Sequence, residues 1–480
     1  MSAIKRLASY AGVDVLAAVL GLVTSPITTR LLSIEQYGAI SYLAAVWTPF
    51  LVARYAGIDY SFVFFKARKG IDQNALIVAC TKVVGVSAVI VIGCFLSFVF
   101  VTDFFKDHQV IGEYELLIFA LGLLPIALVD WLLLLLRFSH KATIYAKISI
   151  VQKISVILLA LPAMYLVEQE SRLLVYFFVS AFFPIVSFVY AVALINKTSL
   201  RPFAWGGNSS GQIKELISYG VFLVPGGVFY ALIAVADKLL VGAMIGVDGV
   251  ALLALAIALS APVMMLKKWV SLVLNPMITD WLRDLDQNEY TCNLNQVMQC
   301  LCVVFMPVVV MMTIWAKPVV ELLYTENYYE SATMIPLLAF AGVLAVLTLV
   351  AISTVLITQK RSTTLKVNAL GLIVNVTVAI FLIPDYGVIG AVWGTVLAEV
   401  LILLAWGYLG THYYKVLKLS WHRVLPVLSL VLMFVAFGSL YYYQDVSFLE
   451  RTVMSTICIL ISALYFRLNV DSFKQCKALL

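Results

Sequence analysis

The chain contains fourteen separable apolar stretches of about twenty residues each, joined by short connections. The hydrocarbon core of a bilayer is about 30 Å thick, so a helix rising 1.5 Å per residue needs roughly 20 apolar residues to cross it. In lipid, only helices satisfy their backbone groups within one segment, and the pattern therefore predicts an all-α polytopic membrane protein. The predicted spans are 10–32, 39–62, 75–101, 115–136, 146–166, 174–195, 216–236, 249–275, 296–316, 333–357, 367–384, 387–410, 424–443 and 452–468.

The composition excludes an ordinary soluble globular protein. The chain is 63% hydrophobic and 12% charged, whereas soluble domains contain about 25% charged residues. The seven cysteines form no C-x-x-C pair and accompany no histidine cluster, so we predict no metal site, disulfide or cofactor. The net charge of +6 is spread over alternate loops, and we therefore predict no nucleic-acid partner.

The loops between the predicted spans alternate in charge. One set of loops, together with both ends of the chain, carries 21 of the 32 Lys and Arg residues. The other set carries only Lys106, Arg172, Lys238, Lys317 and Arg451. Because cytoplasmic loops are enriched in Lys and Arg, the pattern predicts that both termini lie in the cytoplasm.

The long hydrophilic gap at 196–215 divides the chain into two parts. The gap at 196–215 contains RPFAWGGNSSG, and Gly and Ser clusters resist helix formation, so we predict a cytoplasmic linker there. The two parts begin alike, and weak internal symmetry of this kind is common in secondary transporters. The predicted organisation is an N-lobe of six helices at 1–195 and a C-lobe of six helices at 216–410. Two further helices and a cytoplasmic tail follow at 411–480.

Three sets of residues resemble the motifs of polysaccharide (O-antigen type) flippases of the multidrug/oligosaccharidyl-lipid/polysaccharide exporter superfamily. The sets are Thr29–Leu32 with Glu35, Tyr37 and Gly38; Ser218–Gly220 with Pro225, Asp237, Lys238, Gly246 and Gly249; and LIPDYGVIGAVWGTV at Leu382–Val396. The chain departs from the family pattern at Lys238, where Arg is more usual, and at Ala251–Leu253, where an aromatic residue is often found near the glycine.

The resemblance implies a V-shaped cavity between two helical lobes in the cytoplasmic (inner) membrane of a bacterium. It implies that the chain moves an undecaprenyl-diphosphate-linked oligosaccharide to the outer leaflet by alternating access, for O-antigen (lipopolysaccharide) or exopolysaccharide synthesis. The expected partners are this lipid-linked oligosaccharide, membrane lipids, and the polysaccharide polymerase and chain-length machinery.

Three other functions are weighed against this one. A cation-coupled multidrug exporter and a peptidoglycan-precursor flippase share the fold and stay open as alternatives. A membrane polysaccharide polymerase or ligase would be expected to carry a large exported loop, and no predicted exported loop exceeds about sixteen residues. We therefore predict a transporter and not an enzyme.

Cations within the predicted spans are the candidate substrate-binding residues. An ionised side chain at the centre of a membrane helix costs about 2.5–3.5 kcal/mol on insertion scales, so each one needs an explanation. A lipid diphosphate is polyanionic, and Arg and Lys replace its hydration with charge-assisted hydrogen bonds. The predicted binding residues are Arg30, Arg54, Lys267 and Lys268, and the resemblance likewise implies cations on helices one, two and eight. Arg30 has a second interpretation, as a residue at a span end that reaches the headgroups.

Four acidic residues in or near the spans are candidates for ion coupling or structural pairing: Asp59, Asp130, Asp237 and Glu399. Asp59 lies about 7.5 Å from Arg54 along the helix axis. A structural Arg54–Asp59 pair is therefore an alternative to substrate binding by Arg54. Hydrogen bonding within the bundle is the alternative for Asp130 and Glu399.

Overall fold

A computed structural model describes residues 20–66, 72–102, 110–139, 141–198, 200, 202–203, 210–222, 224–356, 361–413 and 448–468. Helices joined by short turns make up nearly all of this part of the chain, which confirms the predicted all-α fold. The helices are α1 (20–31), α2 (Ile34–Ala53), α3 (Ile58–Lys66), α4 (Gln73–Val101), α5 (Glu113–Phe138), α6 (Ala142–Tyr165), α7 (Arg172–Ile195), α8 (Ser210–Val221), α9 (Val224–Met244), α10 (Val247–Asp284), α11 (Gln287–Leu323), α12 (Ile335–Leu356), α13 (Arg361–Tyr386), α14 (Val388–Tyr408) and α15 (Phe448–Leu468).

The described helices include several that are long enough to cross a membrane. Seven of them are long and apolar enough to do so, and the bent pair of Glu326–Thr333 with Ile335–Ala351 makes an eighth span if it crosses as one unit. The protein is therefore a multi-pass membrane protein. The count of fourteen stays a prediction, since the predicted span 424–443 lies outside the described residues.

The chain divides into two compact units, Met1–Val235 and Ala236–Leu480, and the division falls inside α9. In the first unit α5 packs against α4 and α7, and Trp131 of α5 is fully buried. Its indole Nε1 donates a hydrogen bond to Thr81 Oγ1 of α4 at 2.9 Å, and its ring packs edge-on against Phe62. A buried Trp N–H is thereby satisfied, as the membrane interior requires.

In the second unit α13 packs along α14, and α12 packs against α10, α11 and α14. A Cβ atom at Gly394 of α14 would lie 2.7 Å from the carbonyl oxygen of Asn375 on α13. Small residues let membrane helices approach closely, and here the glycine brings the two backbones together beside a polar residue. The partition into lobes at 1–195 and 216–410, with the linker at 196–215, stays a prediction.

One predicted span, 39–62, and one predicted gap between spans, 276–295, differ from the observed helices. The span 39–62 is two helices, since α2 ends at Ala53 and α3 begins at Ile58, with positive φ values of 48° at Ala56 and 71° at Gly57 in between. The gap at 276–295 is largely helical, because α10 continues to Asp284 and α11 begins at Gln287. The side chain of Asp286 accepts hydrogen bonds from the backbone N–H groups of residues 288 and 289, so it caps α11 in this polar segment.

Candidate functional site

Arg54 stands where α2 ends, and the helix end positions it. Its backbone N–H donates to the carbonyl oxygen of Phe50 at 2.9 Å, and its own carbonyl oxygen accepts from Ser87 Oγ of α4 at 2.7 Å. The residue is only 6% exposed. The end of α2 and the neighbouring helix α4 therefore hold the backbone of Arg54, whose guanidinium is buried.

The carboxylate in contact with Arg54 is Asp130 of α5. Arg54 Nη2 lies 2.8 Å from Asp130 Oδ2, and the other oxygen, Oδ1, accepts a hydrogen bond from Gln152 Nε2 of α6 at 3.2 Å. The alternative partner considered from the sequence, Asp59, is half-buried, and no hydrogen bond or ion pair joins it to Arg54 among the described residues. The pairing considered from the sequence assumes that both residues lie on one helix. In the structure α2 ends at Ala53 and α3 begins at Ile58, so Arg54 and Asp59 lie on either side of a break.

The guanidinium of Arg54 retains unused hydrogen-bond donors. Its Nε and Nη1 atoms are buried and have no hydrogen-bond partner among the residues that the structure describes. The guanidinium carbon lies 4.6 Å from the centre of the Tyr55 ring, and this cation–π contact stabilises the positive charge. Leaving a buried charged donor unsatisfied is costly, so these two donor atoms of Arg54 are suited to receive anionic oxygens of a ligand.

The second unit holds two of the predicted residues on helices that are in contact. Lys267 lies half-buried on α10, which packs against α14, the helix that carries Glu399. A substrate-site candidate and a coupling-site candidate thus lie on adjacent helices. The side chain of Lys268, the other predicted lysine, lies outside the described residues.

Arg30 lies at the exposed end of α1. The next residue, Leu31, accepts a hydrogen bond through its carbonyl oxygen from Arg172 Nη1 at 2.7 Å, so the start of α7 holds the end of α1. Arg172, one of the few cations of the loops predicted to be exported, therefore caps a helix. Arg30 itself keeps its position at a helix terminus, which both interpretations of this residue require.

Asp237 forms a buried polar cluster with two residues that the sequence analysis missed. Its Oδ1 accepts from Asn375 Nδ2 of α13 at 2.9 Å, and its Oδ2 accepts a short hydrogen bond from Thr395 Oγ1 of α14. Asn375 Oδ1 is buried without a hydrogen-bond partner in the described chain. Carboxylate, amide and hydroxyl oxygens suit a hard cation or a proton, which makes the cluster a candidate coupling site.

The neutral residues of both clusters escaped sequence reasoning because only charges were weighed. Asn375 interrupts the apolar stretch LIVNVTVA, and Gln152, together with Lys153 next to it, interrupts the stretch SIVQKISV. A buried amide in a membrane helix needs a partner just as a charge does, so these interruptions were the available signal. No group of three or more His, Cys, Asp or Glu residues able to hold a metal occurs within the described part of the chain.

The fold is shared with known transporters. The lipid II flippase MurJ, in its inward closed conformation, has a TM-score of 0.70 at 15% identity, over 95% of this chain and 98% of that chain. An inward-facing multidrug resistance MATE transporter of the MOP superfamily has a TM-score of 0.65 at 14% identity, over 83% and 95%. The MATE multidrug transporter DinF-BH in complex with R6G has 0.59 at 14%, over 87% and 95%. The chain thus has the fold of a MOP-superfamily transporter.

A comparison of sequence, in addition to the fold, assigns the chain to a protein family. The sequence model of the family described as polysaccharide biosynthesis protein matches residues 27–333. The chain therefore belongs to this family of polysaccharide biosynthesis proteins. The predicted resemblance is confirmed to this extent: the chain belongs to a polysaccharide biosynthesis family and shares its fold with MurJ and MATE transporters. No curated protein matches the chain in sequence.

Proposed function

We propose that the protein is a flippase that moves an undecaprenyl-diphosphate-linked oligosaccharide from the inner to the outer leaflet of a bacterial cytoplasmic membrane. The transport is by alternating access, both termini are cytoplasmic, and the product feeds the synthesis of O-antigen or another surface polysaccharide. Membership of the polysaccharide biosynthesis family supports the kind of cargo. The observation that carries the proposal is the buried guanidinium of Arg54, whose Nε and Nη1 have no partner among the described residues.

The chemistry of the cargo matches this guanidinium. A diphosphate offers several anionic oxygens, and an arginine donates charge-assisted hydrogen bonds to phosphate that are about twice as strong as neutral ones. Because water is scarce at a 6% exposed residue, these contacts compete with little solvent. Arg30, Lys267 and Lys268 are the further proposed ligands of the diphosphate.

Two proposed ligands each have an acidic residue on an adjacent helix of the same unit. Asp130 contacts Arg54, and Glu399 lies on α14, which packs against the helix of Lys267. A counter-ion of this kind reduces the cost of burying the cation while no cargo is bound. The polyanionic headgroup then adds a second anionic partner to the cation. Asp237 and Glu399 are the proposed sites at which a cation or a proton couples to transport.

Complementation tests the proposal. The chain is expressed in a strain that lacks its own surface-polysaccharide flippase, and lipid-linked intermediates are measured in each leaflet. Arg54→Ala, Arg30→Ala and the double Ala variant of Lys267 and Lys268 are expected to insert normally while the intermediates accumulate in the inner leaflet. Lys82→Ala, which removes an exposed cation of α4, is the matched control and should export normally. Normal surface glycan in all three test variants would refute the phosphate-binding role.

The peptidoglycan-precursor flippase is the second candidate, because its cargo carries the same diphosphate chemistry and the fold resembles that of a lipid II flippase. Growth of cells depleted of their lipid II flippase distinguishes the two. Rescue of growth would favour the precursor flippase, and rescue of surface glycan alone would favour the proposed cargo. Resistance to cationic dyes without either rescue would indicate a multidrug exporter.

A further inference from the structure

Gln152 donates a hydrogen bond to the ion pair of Arg54 and Asp130. It lies on α6, and its Nε2 donates to Asp130 Oδ1 at 3.2 Å. Asp130 Oδ2 accepts from Arg54 Nη2 at 2.8 Å. The two oxygens of the carboxylate are therefore divided between two donors from two other helices.

This division limits the contact between Arg54 and Asp130. A guanidinium and a carboxylate commonly form two parallel hydrogen bonds, which bring both oxygens onto the arginine. Here only Nη2 is engaged, and Nε and Nη1 are buried without a partner in the described part of the chain. A carboxylate not held by Gln152 would be free to turn both oxygens toward the arginine.

We propose that Gln152 is a positioning residue for the two open donor atoms of Arg54, Nε and Nη1. By holding Asp130 Oδ1, it keeps the ion pair to a single contact and leaves Nε and Nη1 available for the oxygens of a phosphate or diphosphate. The inference rests on the proposed function, because it assumes that Arg54 binds the headgroup. It adds a residue that acts on the cargo through Asp130 and not by touching it.

A purely structural role for Gln152 makes a different prediction. If the amide only satisfies a partly buried carboxylate, its loss lowers the stability of the protein and leaves the affinity for phosphate unchanged. If it positions Arg54 through Asp130, its loss weakens phosphate binding, and the weakening disappears once Asp130 no longer carries a charge. The two roles are therefore separated by a double-mutant cycle.

The experiment uses the full chain purified in detergent, with farnesyl diphosphate as a soluble isoprenyl diphosphate probe. Binding is measured for the parent, Gln152→Met, Asp130→Asn and the double variant, together with the thermal unfolding midpoint of each without probe. Gln152→Met keeps the length of the side chain. It is expected to weaken binding about tenfold, the equivalent of one hydrogen bond to a charged group. In the Asp130→Asn background the same change is expected to alter binding less than about twofold.

Two controls keep the result interpretable. Gln296→Met, a matched change on α11 of the second unit, should bind the probe as the parent does. Gln152→Asn retains the amide but is one methylene too short to reach Asp130, so it should weaken binding like the Met variant even if the latter folds poorly. Parental affinity in both Gln152 variants, or an equal loss in both Asp130 backgrounds, overturns the inference while leaving the proposed function intact. Absence of probe binding by the parent overturns both.

Discussion

Gly220 on α8 packs directly against the break between α2 and α3. A Cβ atom at Gly220 would lie 2.5 Å from the carbonyl oxygen of Ala56 and 2.9 Å from the carbonyl carbon of Gly57. The contact is reinforced nearby, where Ser61 Oγ donates to the carbonyl oxygen of Leu216 at 2.9 Å and the rings of Phe64 and Tyr219 stack at 4.5 Å. Because Arg54 stands at the end of α2, this backbone contact supports the turn that carries the proposed phosphate ligand.

Gly220→Ala is expected to destabilise the protein by roughly 1–3 kcal/mol, since an extra methyl group in a tight backbone contact forces the helices apart. The measurement is the midpoint of thermal unfolding in detergent. Gly226→Ala, on the neighbouring helix α9, is the control, because a Cβ there meets nothing within 4 Å. Equal midpoints for the two variants would show that the contact is looser than the structure indicates.

Arg54→Lys is expected to retain a cation beside Asp130 but to lower surface glycan about tenfold. Lysine supplies a point charge and lacks the planar set of donors to which Nε and Nη1 belong. Surface glycan is measured in the complemented strain against the amount of inserted protein. Arg137→Lys, at the exposed end of α5, is the matched control and should export normally. Normal export by Arg54→Lys would mean that charge alone suffices.

Thr395→Val is expected to destabilise the protein by about 1–3 kcal/mol, because it removes the hydroxyl that donates to the buried carboxylate of Asp237. The change nearly conserves volume, so packing contributes little to the loss. Thermal unfolding provides the measurement, and Thr377→Val, an exposed position on α13, should leave the midpoint nearly unchanged. If both variants unfold at the parental temperature, the cluster of Asp237, Asn375 and Thr395 does not stabilise the second unit.

Single cysteines placed at Lys106 and Lys360 test the predicted orientation. In a background whose native cysteines are replaced, a membrane-impermeant maleimide added to whole cells is expected to label position 106 and not position 360. The expectation follows from the excess of Lys and Arg in the alternate loops. Labelling of position 360 alone would reverse the orientation, and with it the direction of the proposed transport.

The positions of most helices could be predicted from the sequence. The predicted spans 75–101, 115–136 and 174–195 agree with α4, α5 and α7 to within a few residues at each end. An apolar run of this length must lie in lipid as a helix whatever its neighbours are, because no water is present to satisfy its backbone. The break between α2 and α3 escaped prediction, since it accompanies a close approach by Gly220, a residue far along the chain.

The candidate site was predictable in its charges and not in its contacts. Arg54, Asp130 and Asp237 stand out in the sequence because ionised residues are rare in apolar spans. Their partners do not, since Arg54 meets a carboxylate 76 positions away and Asp237 meets Thr395 158 positions away. Gln152 and Asn375 interrupt apolar stretches but are uncharged, so a search for ionised residues passed over them.

The sequence by itself determined that this chain is a helical membrane protein with cations and carboxylates inside its spans. Only the tertiary structure decided that Asp130 and not Asp59 contacts Arg54, and that Gln152 holds the other oxygen of Asp130. It also decided that two donor atoms of the guanidinium find no partner within the described ranges of the chain. The physical reason is that transfer of a segment into lipid depends on its own composition. A hydrogen bond depends instead on the depth and rotation of two helices, which their packing sets.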